Sequence, residues 1–318
     1  MKLKFIILPL LIIPLTSCNK EIKRNSFYFD TYTETRLFEG NEEDLDNIDE
    51  LFLKIDRLTD NYRSRNINNV YTINNTTEPV EVDSKLYEVL KASFCNCLEP
   101  LNYFNPLCGS LSKKWKESLE NSTVLPQATI DEELLKMAST SVEFLENIQI
   151  KKTGDAEIDL GAVAKGYALD KVKQYLDGKN YKKYLVDAGA SSILLGEKNG
   201  GKKFKIKVSN LDDTFLMLKN CFVSTSSYVN QKVEIDGVNY SHIINPKTGS
   251  AINENDAVIV ISEKGYLGDI LSTAFINESL DSIKELEKHY EVKTIVIKNN
   301  EMVYKNESIE VTNKWKKH

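Results

Sequence analysis

The chain has 318 residues, of which 41% are hydrophobic and 28% are charged, and its formal net charge is −6. This composition is typical of a folded globular protein and excludes a disordered or largely membrane-spanning chain. No basic stripe is present, which argues against a nucleic-acid partner. Because the protein is negatively charged, an anionic ligand must be met locally by a metal ion, a lysine or a helix N-terminus.

The first residues have the pattern of an export signal. Lys2 and Lys4 precede an apolar run over residues 5–15, which is too short to span about 30 Å of hydrocarbon as a helix. The run ends in the sequence L-T-S-C at Cys18, which matches the bacterial lipobox, in which the cysteine is lipidated and becomes the first mature residue. The alternative is an ordinary secretory signal with a chance cysteine.

The lipobox predicts how the chain is divided. We expect a signal peptide over residues 1–17, the lipidated Cys18 with a polar tether over 18–26, and one folded domain over 27–318. The lipid would hold the domain on the extracytoplasmic face of the cell membrane, which is the periplasmic side if the envelope has two membranes.

Four further cysteines lie in the folded part, at positions 95, 97, 108 and 221. Outside the cytoplasm an even number of cysteines permits disulfides. Cys95 and Cys97 are too close for an easy mutual bridge, and no spacing suggests zinc. We therefore expect small buried thiols, with disulfides as the alternative.

Helices dominate the first half of the chain. The apolar spacing of residues 42–59 predicts an amphipathic helix, and Ser84 is placed to cap a second one. Residues 102–111 read as a loop into a helix that carries Trp115. The remaining predictions in this half are a strand at 27–38 and a helix at 131–145.

From residue 148 onward, short apolar runs alternate with turns. Strands are predicted at 157–160, 184–187, 204–208, 221–225, 238–242, 257–262, 294–298 and 302–305. Helices are predicted at 163–176, 269–275 and 280–289. Because helices come first and strands second, the pattern indicates an α+β fold rather than alternating βαβ units. No long linker separates the halves, so we expect a single compact domain with mixed or antiparallel sheets and packed helices.

Residues 159–172, DLGAVAKGYALDKV, form the first candidate site. A strand ending at Ile158 is predicted to turn directly into a helix. Gly161 and Gly166 permit close approach of a ligand or of another backbone segment. Helix N-terminal amides and Lys165 both favour an anion at this junction. The alternatives are a phosphate-handling junction and an ordinary corner with Lys165 in solvent.

His242 is the second candidate, in the segment SHIINPKTG. It follows a predicted strand and precedes a rigid Pro-x-x-Gly turn, where an imidazole is well placed for proton transfer. The alternative is a histidine that simply hydrogen-bonds to the turn.

Asp269 and Thr273 are the third candidate. They are four residues apart, so they share one face of a helix. A carboxylate and a hydroxyl oxygen on one face suit Mg²⁺, which completes its octahedron with water and substrate phosphates. The alternative is a helix-capping aspartate with an unrelated threonine.

The hydroxyl run VSTSS at residues 223–227 is a fourth and weaker signal. Such a run can bind phosphate or ribose oxygens after a strand, or it can form a solvated sheet edge.

Taken in order, these segments resemble the ApbE family, the flavin transferases (FAD:protein FMN transferases). The resemblance rests on residues 159–170 (D-L-G-[GA]-x-A-K-G-Y-A-x-D), 186–189 (V-N-A-G), 223–227 (A-T-S-G), 242–249 (H-I-[ID]-D-P-x-T-G) and 269–274 (D-A-L-[SA]-T-A). Ser227 stands where glycine is usual, and Asn245 replaces an aspartate. Upstream, residues 29–31 lie where M-G-T is common, and residues 103–115 resemble G-x-F-[DN]-P…L…W. The similarity runs from about Phe27 to Ile297.

The resemblance implies an α+β fold related to the T-fold, and a specific metal site. Mg²⁺ would be held by the side chains of Asp269 and Thr273 and by the backbone carbonyls of Ala162 and Ser272. Asp269 and Lys165 would act on the pyrophosphate, and His242 would transfer the proton.

The resemblance also implies a set of contacts to FAD, the expected substrate. The residues at these positions are Phe29, Asn61, Pro100, Leu101, Asn102, Asp159, Lys165, Ser226, His242 and Ile243. The alignment near Asn61 is loose, and Asn102 replaces the usual glycine.

The implied activity is Mg²⁺-dependent transfer of FMN from FAD to a serine or threonine hydroxyl of an extracytoplasmic redox protein, with release of AMP. Two alternatives remain open. Water could be the acceptor, which would make the chain an FAD pyrophosphatase, and Asn61 in place of an aromatic residue would favour this. The chain could also be a flavin-binding lipoprotein without turnover.

Overall fold

The computed structural model describes residues 21–95, 101, 103–209, 211–229 and 232–312. Within these ranges the helices are α1 (Glu42–Thr59), α2 (Val70–Asn74), α3 (Ser84–Cys95), α4 (Gly109–Glu120), α5 (Gln127–Ser139), α6 (Ala164–Gly178), α7 (Gly265–Phe275) and α8 (Leu280–His289).

The strands in the same ranges are β1 (Ile22–Tyr28), β2 (Thr31–Leu37), β3 (Val80–Glu81), β4 (Ser141–Leu145), β5 (Gln149–Thr153), β6 (Tyr184–Ala188), β7 (Ser192–Leu195), β8 (Phe204–Lys207), β9 (Phe215–Leu218), β10 (Cys221–Ser227), β11 (Val233–Ile235), β12 (Val238–Tyr240), β13 (Ala257–Ser262), β14 (Lys293–Lys298), β15 (Glu301–Lys305) and β16 (Val311–Thr312). Eight of them form one antiparallel sheet in the order β1-β2-β6-β7-β10-β13-β14-β15. This architecture confirms the predicted α+β class.

The helices α1, α6 and α7 cover one face of the large sheet, which we call the inner face. Helix α1 begins with a capping box between Asn41 and Asp44, which satisfies two otherwise free groups at the helix start. Leu45, Ile48 and Phe52 recur on one side of α1 and are fully buried in the main core. The inner face therefore holds the larger hydrophobic core.

The other, outer face of the sheet is partly covered by the three-stranded sheet β16-β9-β8. A second apolar cluster fills the space between the two sheets; among its members are Leu216, Val223, Ile259 and Ile297. Because side chains alternate along a strand, β13 contributes to both cores: Val258 and Val260 to the inner one, Ile259 and Ile261 to the outer one.

Several predicted elements are confirmed. Helix α1, strand β13 and helix α8 have the predicted bounds, because each has a clear apolar period and a polar boundary. The predicted helix at Ser84 is present as α3, but Ser84 is its first residue and not its cap, since the Asp83 side chain accepts from the Lys85 amide.

Three predictions were wrong. Residues 27–38 are not one strand, because Phe29 and Asp30 adopt positive φ angles and turn the chain back as a hairpin between β1 and β2. The helix predicted at 131–145 starts earlier and ends at Ser139, and its last part is strand β4. The strand predicted at 157–160 is irregular chain. The backbone N–H of Ile158 donates to the side-chain oxygen of Asn74, and its carbonyl accepts from the side-chain nitrogen of the same residue.

The predicted tether also differs from the structure, since β1 already begins at Ile22 and pairs with β2. The folded part therefore starts inside the segment 18–26. Cys18 and the signal peptide lie outside the described residues, as do Cys97, Pro100 and Asn102. In the part of the chain that is described, no helix is long and apolar enough to cross a membrane.

Cys95, Cys108 and Cys221 are free thiols. Burial raises the pKa of Cys108 and of Cys221 to about 12, in keeping with the predicted unreactive thiols. Cys95, however, is exposed, so the expectation of burial was wrong there.

Candidate active site

Asp269 is the centre of the site. Helix α7 begins at Gly265, so Asp269 lies one turn inside the helix and is not its N-cap. Its side chain is only 6% exposed. One carboxylate oxygen, Oδ1, accepts from the hydroxyls of Ser192 at 2.8 Å and Ser224 at 2.6 Å. The other, Oδ2, accepts from the backbone N–H of Gly166 at 2.6 Å.

Burial raises the pKa of Asp269, and this is the largest influence on it. The charge of Lys165 and the three hydrogen bonds act in the opposite direction and favour the ionised form. A carboxylate offers about four lone-pair positions. Three are occupied, so one direction on Oδ2 is left for a further ligand.

The Ala162 carbonyl lacks a backbone donor within the described structure, and the Ser272 carbonyl lies in the last turn of α7. Gly166 lies four residues after Ala162 and would donate to its carbonyl in a regular helix, but it donates to Asp269 instead. Among the described residues no other backbone amide donates to Ala162. The Ser272 carbonyl is one of the last four of α7, and the amide of Ile276 donates to Ala274 rather than to Ser272.

These oxygen donors fit Mg²⁺, a hard cation that binds through few protein oxygens. No group of three or more His, Cys, Asp or Glu side chains converges anywhere in the described ranges. A metal at Asp269 would therefore depend on one carboxylate together with hydroxyl and carbonyl oxygens. That set is the one expected from the sequence: Asp269, Thr273, Ala162 and Ser272.

The hydroxyl groups beside the carboxylate form a connected cluster. Ser226, on strand β10, lies 3.0 Å from the Ser272 hydroxyl and 3.3 Å from the Thr273 hydroxyl. The strand thus brings Ser226 to the same helix face as Asp269 and Thr273. Of the predicted hydroxyl run, Ser224 and Ser226 face this cluster, whereas Thr225 and Ser227 line the outer face.

Lys165 links the metal-binding candidates to the histidine. Its positive charge lowers the pKa of both Asp269 and His242. Lys165 directly precedes Gly166, whose amide donates to Asp269, so the chain brings Lys165 next to that carboxylate. His242 as a whole is exposed to solvent. The protein nevertheless surrounds its ring closely enough that desolvation is the main cause of its lowered pKa. The imidazole is consequently neutral near pH 7 and can accept a proton.

The segment that carries His242 is held by a small polar network. The Ile243 carbonyl accepts from the Ser241 hydroxyl at 3.1 Å and from the Asn253 amide at 3.0 Å. Asn253 also donates to Asn277, in the turn after α7, at 3.1 Å. The backbone on either side of His242 is thereby fixed to α7, and Ile243 is buried in the main core.

Asp159 is the second carboxylate among the predicted site residues. It accepts from the Gly161 amide at 2.7 Å, and its own amide donates to Pro106 at 2.8 Å. Burial raises the pKa of Asp159, while Gly161, Lys113 and Asn61 lower it. Asn61 is 6% exposed and lies beside this carboxylate. Its Nδ2 atom nevertheless has no partner at hydrogen-bond distance within the described structure.

Phe29 and Leu101 are the remaining predicted contacts that the structure describes. Phe29 is half-buried at the β1–β2 turn, where its amide donates to Asp56 at 2.9 Å. Leu101 is fully buried in the main core.

Sequence reasoning missed Ser192, the role of the Gly166 amide, and Asp170. Ser192 and Gly166 are separated from Asp269 by 77 and 103 residues. No local spacing reveals contacts of that length. Asp170 belongs to the quoted motif, but its partners Gly265 and Tyr266 lie 95 and 96 residues away.

The fold is that of the ApbE proteins. The solved structure of the ApbE protein from Thermotoga maritima is similar with a TM-score of 0.79 and 24% identity, covering 91% of this chain and 98% of that one. The flavin transferase ApbE from Vibrio cholerae gives a TM-score of 0.73 at 17% identity, covering 92% and 96%. At these identities the similarity establishes the fold.

The sequence profile of the ApbE family matches residues 29–296, and the chain belongs to this family. An FAD:protein FMN transferase of Treponema pallidum (strain Nichols) is 29% identical over 219 residues, which cover 62% of this chain and 60% of that protein. One from Klebsiella pneumoniae (strain 342) is 30% identical over 199 residues, which cover 61% and 63%. The alignment thus spans less than two thirds of the length of these two relatives.

Proposed function

We propose that the chain is an FAD:protein FMN transferase, which moves FMN from FAD to a serine or threonine hydroxyl of a redox protein and releases AMP. The observation that carries this proposal is the buried Asp269 carboxylate, which accepts the amide of Gly166, next to Lys165, and so leaves the Ala162 carbonyl without a backbone donor among the described residues. The charge of Lys165 also lowers the pKa of His242. Family membership and the activity of the relatives support it.

Each of these residues has a proposed role in the reaction. The acceptor oxygen attacks the FMN phosphorus, its bond to phosphorus forms, and the pyrophosphate bond to AMP breaks. His242, neutral because of its lowered pKa, takes the proton of the attacking hydroxyl. Lys165 would supply the positive charge that stabilises the phosphoryl oxygens. Asp269, Thr273, Ala162 and Ser272 would hold Mg²⁺, which when bound neutralises the same charge.

Hydrolysis of FAD to FMN and AMP is the second candidate function. The observation that favours it is the buried Asn61 amide, whose Nδ2 has no hydrogen-bond partner among the described residues. An unpaired buried donor beside Asp159 is suited to hold a water molecule. In this case water replaces the protein hydroxyl, and the roles of Asp269, Lys165 and His242 are unchanged.

One experiment distinguishes these functions. The full chain in detergent is incubated with FAD, Mg²⁺ and a serine- or threonine-containing acceptor peptide, and AMP and covalent flavin are followed by mass spectrometry. AMP with flavin on the peptide supports the transferase. AMP with free FMN supports the hydrolase. Tight FAD binding without AMP would overturn both and leave a flavin-binding lipoprotein.

A matched pair of variants separates acceptor choice from catalysis. Asn61→Leu removes the unpaired amide at similar volume. If Asn61 holds the attacking water, the ratio of free FMN to labelled peptide falls in this variant. Asn74→Leu changes an amide that already has two backbone partners at Ile158, so it should lower stability without altering that ratio.

We also propose that the protein is lipid-anchored at Cys18 on the extracytoplasmic face of the membrane. The sequence L-T-S-C ending at Cys18 supports this, and β1 begins only four residues later. The acceptor would accordingly be an extracytoplasmic redox protein. Cys18→Ser should abolish labelling with a radioactive fatty acid and release the protein from the membrane fraction. Unchanged labelling would contradict the anchor.

A further inference from the structure

Helices α6 and α7 cross at two glycines immediately beside Asp269. A Cβ atom built on Gly166 would lie 2.2 Å from the carbonyl oxygen of Gly265, and one built on Gly265 would lie 2.2 Å from that of Gly166. The same Cβ on Gly166 would lie 2.8 Å from the Asp269 carboxyl carbon. A side chain at either glycine would push the helices apart, so the spacing of α6 and α7 is set at this point.

At this crossing, each helix places a carboxylate on the first turn of the other. Asp269 of α7 accepts the Gly166 amide of α6 at 2.6 Å. Asp170 of α6 accepts two amides of α7 with separate oxygens: Gly265 on Oδ1 and Tyr266 on Oδ2, both at 2.8 Å. Lys264, the N-cap residue of α7, provides no side-chain cap. Asp170 therefore takes the place of the missing cap from a different helix.

We propose that Asp170 is a positioning residue for the Asp269 site, because it fixes the first turn of α7 against α6 and so sets the distance from the Asp269 carboxylate to the Ala162 carbonyl. This inference rests on the proposed function only in so far as those oxygens bind Mg²⁺. A shift of the first turn of α7 would move Asp269 directly, since Asp269 follows Gly265 by a single helical turn.

The charges at the crossing explain why this arrangement responds to a cation. Burial and the neighbouring charge of Asp269 together raise the pKa of Asp170 to about 6, although two backbone amides and Lys171 oppose the shift. Two carboxylates so arranged repel one another unless a cation lies nearby. Mg²⁺ bound by Asp269 would relieve this repulsion, so that metal binding and the Asp170 cap stabilise each other.

The variant Asp170→Asn tests the inference. Asparagine has similar size but one acceptor oxygen, so one of the two amides of α7 loses its partner. We expect the dissociation constant for Mg²⁺, measured by calorimetry on the full chain in detergent, to rise about tenfold. An unchanged Mg²⁺ affinity in a folded Asp170→Asn protein would overturn the proposal.

Glu287→Gln is the matched control. Glu287 is a buried carboxylate on α8 that likewise accepts two hydrogen bonds, from the Thr294 amide at 2.6 Å and the Tyr304 hydroxyl at 2.6 Å. Neither of these two hydrogen bonds involves α6 or α7. We expect its melting temperature to fall while its Mg²⁺ affinity stays that of the wild type. Equal loss of Mg²⁺ affinity in both variants would show a general structural effect and overturn the positioning role.

A second measurement needs no variant. Mg²⁺ added to the wild-type protein should slow hydrogen exchange at the amides of Gly265 and Tyr266, because the metal strengthens the cap. Unchanged exchange at these amides, in a protein that binds Mg²⁺, would overturn the inference. If the wild type shows no saturable Mg²⁺ binding, or if Asp269→Asn binds Mg²⁺ as the wild type does, it is the metal site of the proposed function that fails.

Discussion

The two faces of strand β10 carry different kinds of side chain near the candidate site and near the second core. On the inner face Ser224 and Ser226 reach Asp269 and the Ser272–Thr273 hydroxyls. On the outer face Val223 packs in the second core, between the two sheets. Adjacent residues of one strand therefore face either the candidate site or the second core. Substitutions on the two faces should accordingly affect different measurements: activity for the inner face and stability for the outer one.

Asp269→Ala is the strongest test of the inner face. It removes the carboxylate proposed to bind Mg²⁺ and leaves the hydroxyls of Ser192 and Ser224 without their acceptor. We expect AMP release from FAD to fall by about a thousandfold or more. Activity that persists at the wild-type level would show that the inner face is not the reaction site.

His242→Ala should have the next largest effect on activity. Removing a proton acceptor typically costs about 10²- to 10⁴-fold in rate. Because burial and Lys165 lower the pKa of His242 below its ordinary value, the neutral form accumulates already under mildly acidic conditions. The rate of the wild type should therefore rise with pH through that lowered pKa and level off before pH 7. The variant should lack this acidic limb, and a variant that retains it would exclude His242 as the base.

Ile259→Ala tests the outer face. Ile259 is buried between the sheets, and its truncation should lower the free energy of unfolding by about 2–5 kcal/mol. The rate of AMP release per folded molecule should stay unchanged. Denaturant unfolding measures the first quantity and an assay at saturating FAD the second. A large loss of activity in the folded variant would show that the two faces are coupled.

The sequence predicted those parts of the site that a local pattern defines. Asp269 and Thr273 share a helix face because they are four residues apart. Helix α1 was found from its apolar period, and β13 from its short apolar run. The partners of Asp269 were not predictable, because Ser192, Ser224 and Gly166 reach it only after the sheet and the two helices have packed. Ile158 was taken for the end of a strand because it is apolar, but its backbone is bonded by the side chain of Asn74. Periodicity does not detect such a side-chain contact.

The smallest effect comes from the most closely matched pair, Ser224→Ala and Thr225→Ala. These neighbours lie on opposite faces of β10, and only Ser224 donates to Asp269. The Ser224 hydroxyl stabilises the ionised carboxylate with and without the metal, so its removal should weaken Mg²⁺ binding only by about threefold, mainly through the raised pKa of Asp269. Thr225→Ala should leave Mg²⁺ binding unchanged.

The pH dependence of Mg²⁺ affinity in the same two variants should shift in a direction that only a change on the inner face explains. The Ser224 hydroxyl lowers the pKa of Asp269, against the stronger effect of burial. Its removal must therefore raise that pKa, and the carboxylate then ionises only at higher pH. Mg²⁺ affinity in Ser224→Ala should fall off at a higher pH than in the wild type as the solution is acidified, whereas Thr225→Ala should follow the wild-type curve. A shift in the opposite direction, or the same shift in both variants, would show that Asp269 is not tuned by the hydroxyls of the inner face.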